Sequence, residues 1–416
     1  MVRHIVLDEL KPFPEAVELD SEVAATLGES GLVTVVPAHG GQWTLMPCGT
    51  VGAVQIGELL VEVKPKRKIG LGRLLFLLGY ARNPGFRPDD VAGVEDSDLF
   101  ASLAESLARQ TERALERGVL HGYLHVEEAL RTVRGRIRVG DQMTRRPGML
   151  LPLEVAYDDY TVDIAENRIL RAAVRLMMQV PRLASDVRGR LAHLDAKLDG
   201  VSLIRFGAPL PAWTPSRLNE RYGPGLRLAE IVLRNMSAET GVGTRTVASF
   251  VVTMATVFED FVTTALREAL DPYPGETEGQ FPTDLDEAEP GYRATDRVGM
   301  FVDIVHSVGG APAMVFDAKY KAPTETNAPN ADHYQMLAYC TALGVSKAWL
   351  VYAGPGGRRN RRIRNTGISV EEFRLDISQR PEALLARVQE LANSSYLEFR
   401  AGNYGMNYSS NLQSGM

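Results

Sequence analysis

The chain has 416 residues, enough at roughly 100 to 200 residues per domain for two or three domains that each bury a core. Its 46 Lys and Arg against 52 Asp and Glu give a formal charge of −6, which excludes a protein that holds nucleic acid by bulk electrostatics alone. An apolar share of 45% with 24% charged residues excludes disordered, coiled-coil and collagen-like chains.

No uncharged apolar run approaches the roughly 18 residues of a membrane helix. The longest, 247–258, runs into Glu259 and Asp260, while Asp8 and Glu9 interrupt the stretch where a signal core would lie. Cys48 and Cys340 sit among small or apolar residues, as buried thiols in a reducing compartment do. The expectation is a cytoplasmic protein without membrane contact.

Residues 1–90 read as short strands broken by Gly and Pro, closed by the helical segment LGRLLFLLGYA. From 97 to 118 the period changes: Leu99, Leu103, Leu107 and Leu115 recur at helical spacing and Gly118 stands at the stop. A second helix is predicted over 163–179, with Ile169, Leu170, Ala173, Val174 and Met177 on one stripe. A third, 226–236, leads into the linker AETGVGTRT, which places the main boundary near residue 243.

Beyond it the sequence predicts a helix through Phe258 and Phe261, a polar loop over 275–290, strands over 298–308 and 313–320, a helix around Gln335 and a strand over 348–353. The fold class is α/β, α+β overall. The regions are a β-rich unit (1–90), a mainly helical region (91–243), a compact α/β domain (244–392) and a loosely ordered tail (393–416).

The chemistry concentrates in FVDIVHSVGGAPAMVFDAKYK. Gly309 and Gly310 separate two strands, so a loop over 309–311 would set Asp303 opposite Asp317. Lys319, two residues on, shares the face of Asp317. Two carboxylates buried together need a cation, and hard oxygen donors suit Mg²⁺, with Mn²⁺ as a substitute. A lysine beside them can position an attacking water and offset charge on a phosphorane-like transition state. A surface cross-strand ion pair is the plainer reading, but Val302, Ile304, Val305, Val315, Phe316 and Ala318 make both strands nearly continuously apolar. Glu259 on the preceding helix is a third carboxylate for the metal shell. Gln335 and Tyr339, four apart, share a helix face.

The acid, then D-x-K, resembles the PD-(D/E)xK nuclease superfamily, and Q-x-x-x-Y resembles its RecB-type variant, although Val302 replaces the proline often found before the first acid. Over residues 55–350 the chain resembles the McrC family, the nuclease subunit of McrBC-type modified-cytosine restriction systems. The blocks that carry the resemblance are VEVKPKRKIGLGRLLFLLGYA (Lys64, Pro65, Lys66), ERGVLHGYL (Arg117, Gly118, Tyr123), LRTVRGRIRV (Arg134, Gly135, Arg136), YDDYTVDIAENRILRAA (Asp163, Asn167, Leu170), RLNERY and TVFEDFV.

The resemblance implies a type IV restriction endonuclease subunit that cleaves modified double-stranded DNA and stimulates a McrB-like AAA+ GTPase ring. The first 243 residues would dock on that ring, with Arg134 and Arg136 as candidate contacts. No G-x-x-x-x-G-K-[ST] phosphate loop occurs in the sequence, so nucleotide would bind the partner.

Arg358, Arg359, Arg361 and Arg362 follow a Gly-Pro-Gly-Gly turn and could track phosphates or form a solvated hairpin tip. His121 and His125 have helical metal-ligand spacing, but Gly122 and β-prone neighbours oppose a helix there; His306 reads as a packed core residue. Two other readings stay open: a noncatalytic adaptor that activates an AAA+ ring, and a RecB-like DNA repair nuclease.

Overall fold

A computed structural model describes residues 3–413 apart from 10, 12, 14, 66–68, 85, 87–97, 206, 241–245, 288–296 and 321–329. Lys66 and the linker at 243 therefore lie outside the described residues. In chain order come β1 (Arg3–Asp8), β2 (Val17–Glu18), α1 (Ser21–Glu29), β3 (Val33–Pro37), β4 (Gln42–Pro47), β5 (Thr50–Ile56), β6 (Leu59–Lys64) and α2 (Leu71–Arg82). Next are α3 (Leu99–Leu115), β7 (Gly122–Leu130), β8 (Arg136–Ile137), α4 (Val139–Arg145), β9 (Leu153–Thr161), α5 (Ala165–Met178), α6 (Ser185–Lys197), α7 (Gly223–Asn235) and β10 (Met236–Thr240). The remainder is β11 (Thr246–Thr253), α8 (Met254–Leu270), β12 (Glu276–Asp284), β13 (Gly299–Val308), β14 (Ala311–Lys319), α9 (Asn330–Leu343), β15 (Lys347–Ala353), β16 (Arg359–Arg362), β17 (Ser369–Leu375) and α10 (Pro381–Gln413). The mixture is α+β, as the sequence predicts.

The chain divides into two compact units. One gathers residues 1–3, 54–60 and 96–250; the other gathers 4–53, 61–95 and 251–416.

In the first unit the apolar stripes of α3, α5 and α7 are buried, including Leu103, Leu107, Ile169, Leu170, Ala173, Val174, Leu226 and Val232. Asp98 starts α3 by accepting the Ala101 N–H at 2.9 Å, as an N-cap does. Several residues of the family-like blocks prove to be internal ties. Asn167, fully buried, donates to the carbonyls of Leu120 and Val162 at 2.8 and 2.7 Å, and the Tyr222 hydroxyl accepts the Leu120 N–H at 2.8 Å. Arg168 grips Asp163 with two 2.7 Å hydrogen bonds and holds its carboxyl down to about 2.

Replacing Asn167 by Ala removes two hydrogen bonds and strips the buried Leu120 carbonyl of its amide donor, while Val162 keeps the Ile164 N–H, so the Asn167→Ala protein should lose about 1–3 kcal/mol in urea unfolding of this unit. An unchanged midpoint would show that water takes over both bonds.

The expected mainly helical region also holds a three-stranded sheet, β7-β9-β8. Its strands bury little, so no apolar alternation marks them; they are held by a continuous ladder from Gly122↔Thr161 to Leu130↔Leu153.

The second unit is built on a six-stranded sheet in the order β12-β13-β14-β15-β17-β16. β13 and β14 form an antiparallel hairpin, and β14, β15 and β17 run parallel. On one face Met336, Tyr339 and Cys340 of α9 pack on Val305, Val315, Leu350, Tyr352 and Val370. Helices α8 and α10 pack against β14, and Arg387 of α10 lies over the Phe373 ring. The rings of Phe76 and Tyr80 on α2 meet Phe261 of α8 at 6.1 and 5.5 Å.

Three expectations differ from what is seen. Residues 276–284, expected as loop, form strand β12. Its text, ETEGQFPTD, is polar because β12 is an edge strand with alternate residues in solvent. The β-rich start contains helix α1. The tail expected from residue 393 instead continues α10: buried Leu384, Val388, Leu391, Ala392, Ser395 and Tyr396 extend one stripe, and Tyr396 stacks on Tyr273 at 4.4 Å.

Candidate functional site

The β13–β14 hairpin turns on two residues, Gly309 and Gly310, with φ of +64° and +80°. Both angles lie where a side chain is strained, as a tight primed turn requires. Val308 pairs with Ala311, and Ser307 with Pro312, a register that would place Asp303 out of step with Asp317. A bulge then intervenes: His306 pairs with Met314, leaving Ala313 as the extra residue. The ladder continues through Ile304↔Phe316, which sets Asp303 across from Asp317.

Both aspartates are buried, Asp317 completely. Asp303 Oδ2 accepts the backbone N–H of Ala318 at 3.1 Å, tying the first carboxylate to the strand that carries the second. Lys319 Nζ lies 3.0 Å from Asp317 Oδ1 and 2.9 Å from Oδ2. Burial and the neighbouring Asp303 charge push the Asp317 carboxyl up to about 7, against the pull of Lys319. Burial, the largest influence, would lower the Lys319 pKa, but the charge and hydrogen bond of Asp317 together with the Asp303 charge make the net shift upward.

Glu259, in the second turn of α8, is half-buried. Its pKa is raised by burial and then by Asp303, so it stands in the electrostatic reach of the pair. Its Oε1 accepts a 2.5 Å hydrogen bond from Gln280 Nε2. On α9, Gln335 Nε2 donates to the Tyr339 hydroxyl at 2.6 Å, which donates to the Phe301 carbonyl at 2.8 Å, two residues before Asp303. Tyr320, next after Lys319, donates to Glu9 Oε2 at 2.8 Å and packs its ring 6.3 Å from Phe258. Glu259, Asp303, Asp317, Lys319, Gln335 and Tyr339 thus gather around one end of the hairpin. Gln280, Tyr320 and Glu9 join them without a signal in the sequence.

The donor set fits a hard divalent ion at two carboxylates. Asp317 Oδ2 is buried and its one close neighbour of opposite charge is the Lys319 ammonium at 2.9 Å, so an ion at the pair would share this carboxylate with Lys319. Mg²⁺ commonly takes one or two carboxylates and keeps several waters. Among the described residues no group of three or more His, Cys, Asp or Glu stands close enough to hold an ion together, so Glu259 does not complete a three-carboxylate cage.

The other candidates separate. Arg358 pairs with Glu371 and Glu390 and lies over Phe373, and Arg361 pairs with the buried Glu372. Arg359 and Arg362 on β16 are exposed. Arg134 pairs with Asp159 over the Tyr157 ring, while Arg136 is exposed on β8. His125 lies on strand β7, bonded to Asp158 at 3.0 Å. His306 is buried and bonded to Thr277 at 2.8 Å and to the Pro274 carbonyl at 3.2 Å, a satisfied core histidine. No helix among the described residues is long and apolar enough to cross a membrane.

A fold with a hairpin-borne pair of aspartates, a lysine and a preceding helical glutamate sets the frame for comparison with known proteins. The family model described as McrBC 5-methylcytosine restriction system component matches residues 46–353. That span is most of the chain, and the chain belongs to this family. Comparison with curated proteins finds no match. Among solved structures, the chain is similar to one in a refined half-complex from a tetradecameric assembly of Thermococcus gammatolerans McrB AAA+ hexamers with bound McrC. The TM-score is 0.56 and the identity 17%, with 94% of this chain and 99% of that chain covered. A chain of the Thermococcus gammatolerans McrBC complex seen by cryo-EM matches at a TM-score of 0.41 and 18% identity, covering 65% of this chain and 89% of that one. The first likeness speaks for a shared fold over nearly the whole length.

Proposed function

We propose that this chain is the Mg²⁺-dependent DNA endonuclease subunit of a McrBC-type restriction complex and that it works with a McrB-like AAA+ GTPase ring. The observation that carries the reading is the buried Asp303–Asp317 pair with the Lys319 ammonium within 3.0 Å of both Asp317 oxygens.

Asp303 and Asp317 would hold the ion, with Mn²⁺ as a substitute, and the ion would neutralise phosphate charge and lower the pKa of water. Lys319 keeps its ammonium 2.9 Å from Asp317 and so stands where it can orient the attacking water and offset charge on the phosphate. The Gln335–Tyr339–Phe301 chain fixes the backbone just ahead of Asp303. Arg359 and Arg362, exposed on β16 of the same sheet, can take phosphates at its far edge.

Partnership with the ring is supported by family membership and by the McrB AAA+ hexamers in the similar assembly. The β7-β9-β8 sheet and α4 offer it exposed apolar side chains, Tyr123, Val139 and Met143, that a partner could cover.

A noncatalytic adaptor is the second reading, favoured by the absence of a three-carboxylate cluster among the described residues. The two readings part in one experiment. The chain is co-purified with a McrB-like ring-forming NTPase and given cytosine-modified or unmodified plasmid, with Mg²⁺ or with EDTA. Scission only of modified DNA and only with Mg²⁺ is expected. Stimulated NTP hydrolysis without scission under any condition would favour the adaptor.

A further inference from the structure

Gln280 lies inside edge strand β12 yet has φ of +52°, in the left-handed region that a residue with a Cβ rarely enters. The ladder on either side is regular, Gly279 pairing with Ile304 and Phe281 with Val302. Gln280, whose turn it is to face Asp303, makes no pair. Such a conformation costs free energy and persists only where surrounding structure holds it, and it gathers at sites where geometry matters. Here it is accompanied by one specific contact, the Nε2 amide donating to Glu259 Oε1 at 2.5 Å. Glu259 is charge-coupled to Asp303 and Lys319, and among the described residues it belongs to no three-carboxylate cluster.

We infer that Gln280 is a positioning residue: its strained backbone aims the amide at Glu259 and fixes that carboxylate at the rim of the Asp303–Asp317 pair, with Oε2 left to receive a water of the bound metal. The inference rests on the metal-dependent reading of the site. Groups that orient the surroundings of a metal commonly change its affinity 10- to 100-fold when removed.

The test uses the full-length chain without DNA, titrated with Mn²⁺ by calorimetry, with thermal unfolding measured alongside. Gln280→Gly removes the amide and relieves the left-handed backbone together. It should raise the melting temperature while weakening Mn²⁺ binding about tenfold. In a Glu259→Ala background the same change should leave Mn²⁺ affinity where Glu259→Ala alone puts it, because Gln280 acts through Glu259. Wild-type Mn²⁺ affinity in Gln280→Gly, or an equal loss in the Glu259→Ala background, would overturn the role. Failure of the wild-type chain to bind Mn²⁺ at all would instead remove the metal-centre reading, and this inference with it.

Discussion

Asp317→Ala should abolish DNA cleavage, lowering its rate at least about 10³-fold, while stimulation of NTP hydrolysis by the partner ring stays within about twofold of wild type. Asp317 is the fully buried member of the pair, and both its oxygens lie within 3.0 Å of the Lys319 ammonium. Its removal takes away both a candidate metal ligand and the counter-charge of Lys319. The apolar sheet around it is otherwise untouched, with Phe316, Ala318 and Leu350 still packed, so the fold should survive. Asp317→Asn keeps an oxygen for Lys319 and removes one of two buried like charges; in metal-free buffer at pH 8 its melting temperature should exceed that of wild type. Single-turnover cleavage and phosphate release, followed in the same tube, read both effects. Normal scission by Asp317→Ala would contradict the assignment.

The second large effect is on pH. Asp317 must shed its proton to bind an ion, and burial with Asp303 pushes that proton's pKa up to about 7. Mg²⁺ affinity should therefore climb about tenfold per pH unit from pH 5 to 7, some 100-fold in all, and level off above. The metal-free stability runs the other way. A carboxyl whose folded pKa lies above its unfolded value of 3.8 binds more protons folded than unfolded between the two, so the Asp317 contribution to stability is fully present below about pH 4 and is lost as pH rises through 7. Saturating Mg²⁺ at pH 8 should restore it. Calorimetric titration at four pH values checks the first trend and thermal unfolding the second; a flat affinity between pH 5 and 7 would mean that Asp317 is already ionised there.

How much of this was legible depended on whether local pattern or tertiary context set each feature. The hairpin was legible because Gly-Gly between two apolar runs has few other solutions, and D-x-K on a strand puts both side chains on one face. The facing of Asp303 and Asp317 was anticipated with a longer loop; the turn is shorter, and the bulge at Ala313 makes up the missing residue. No single-strand periodicity carries a bulge of that kind. Strand β12 was illegible because a polar edge strand lacks an apolar alternation, and with it went Gln280, whose sign of φ no residue type announces. The arginines after Gly357 read in sequence either as a cluster for phosphate or as a solvated hairpin tip. Two of them, Arg358 and Arg361, are paired with Glu371 and Glu372, acids buried in β17. The sheet β7-β9-β8 was likewise hidden, because strands that bury little carry no apolar alternation to betray them.

The measurement closest to the central claim maps the metal itself. Fe²⁺ bound in place of Mg²⁺, with ascorbate and peroxide, cuts the polypeptide wherever the ion sits, and the fragments are read by mass. The account predicts backbone scission beside Asp303 and at Asp317–Lys319, competed away by Mg²⁺ and lost in Asp317→Ala. Scission elsewhere in the chain, or the same fragments from Asp317→Ala, would contradict it.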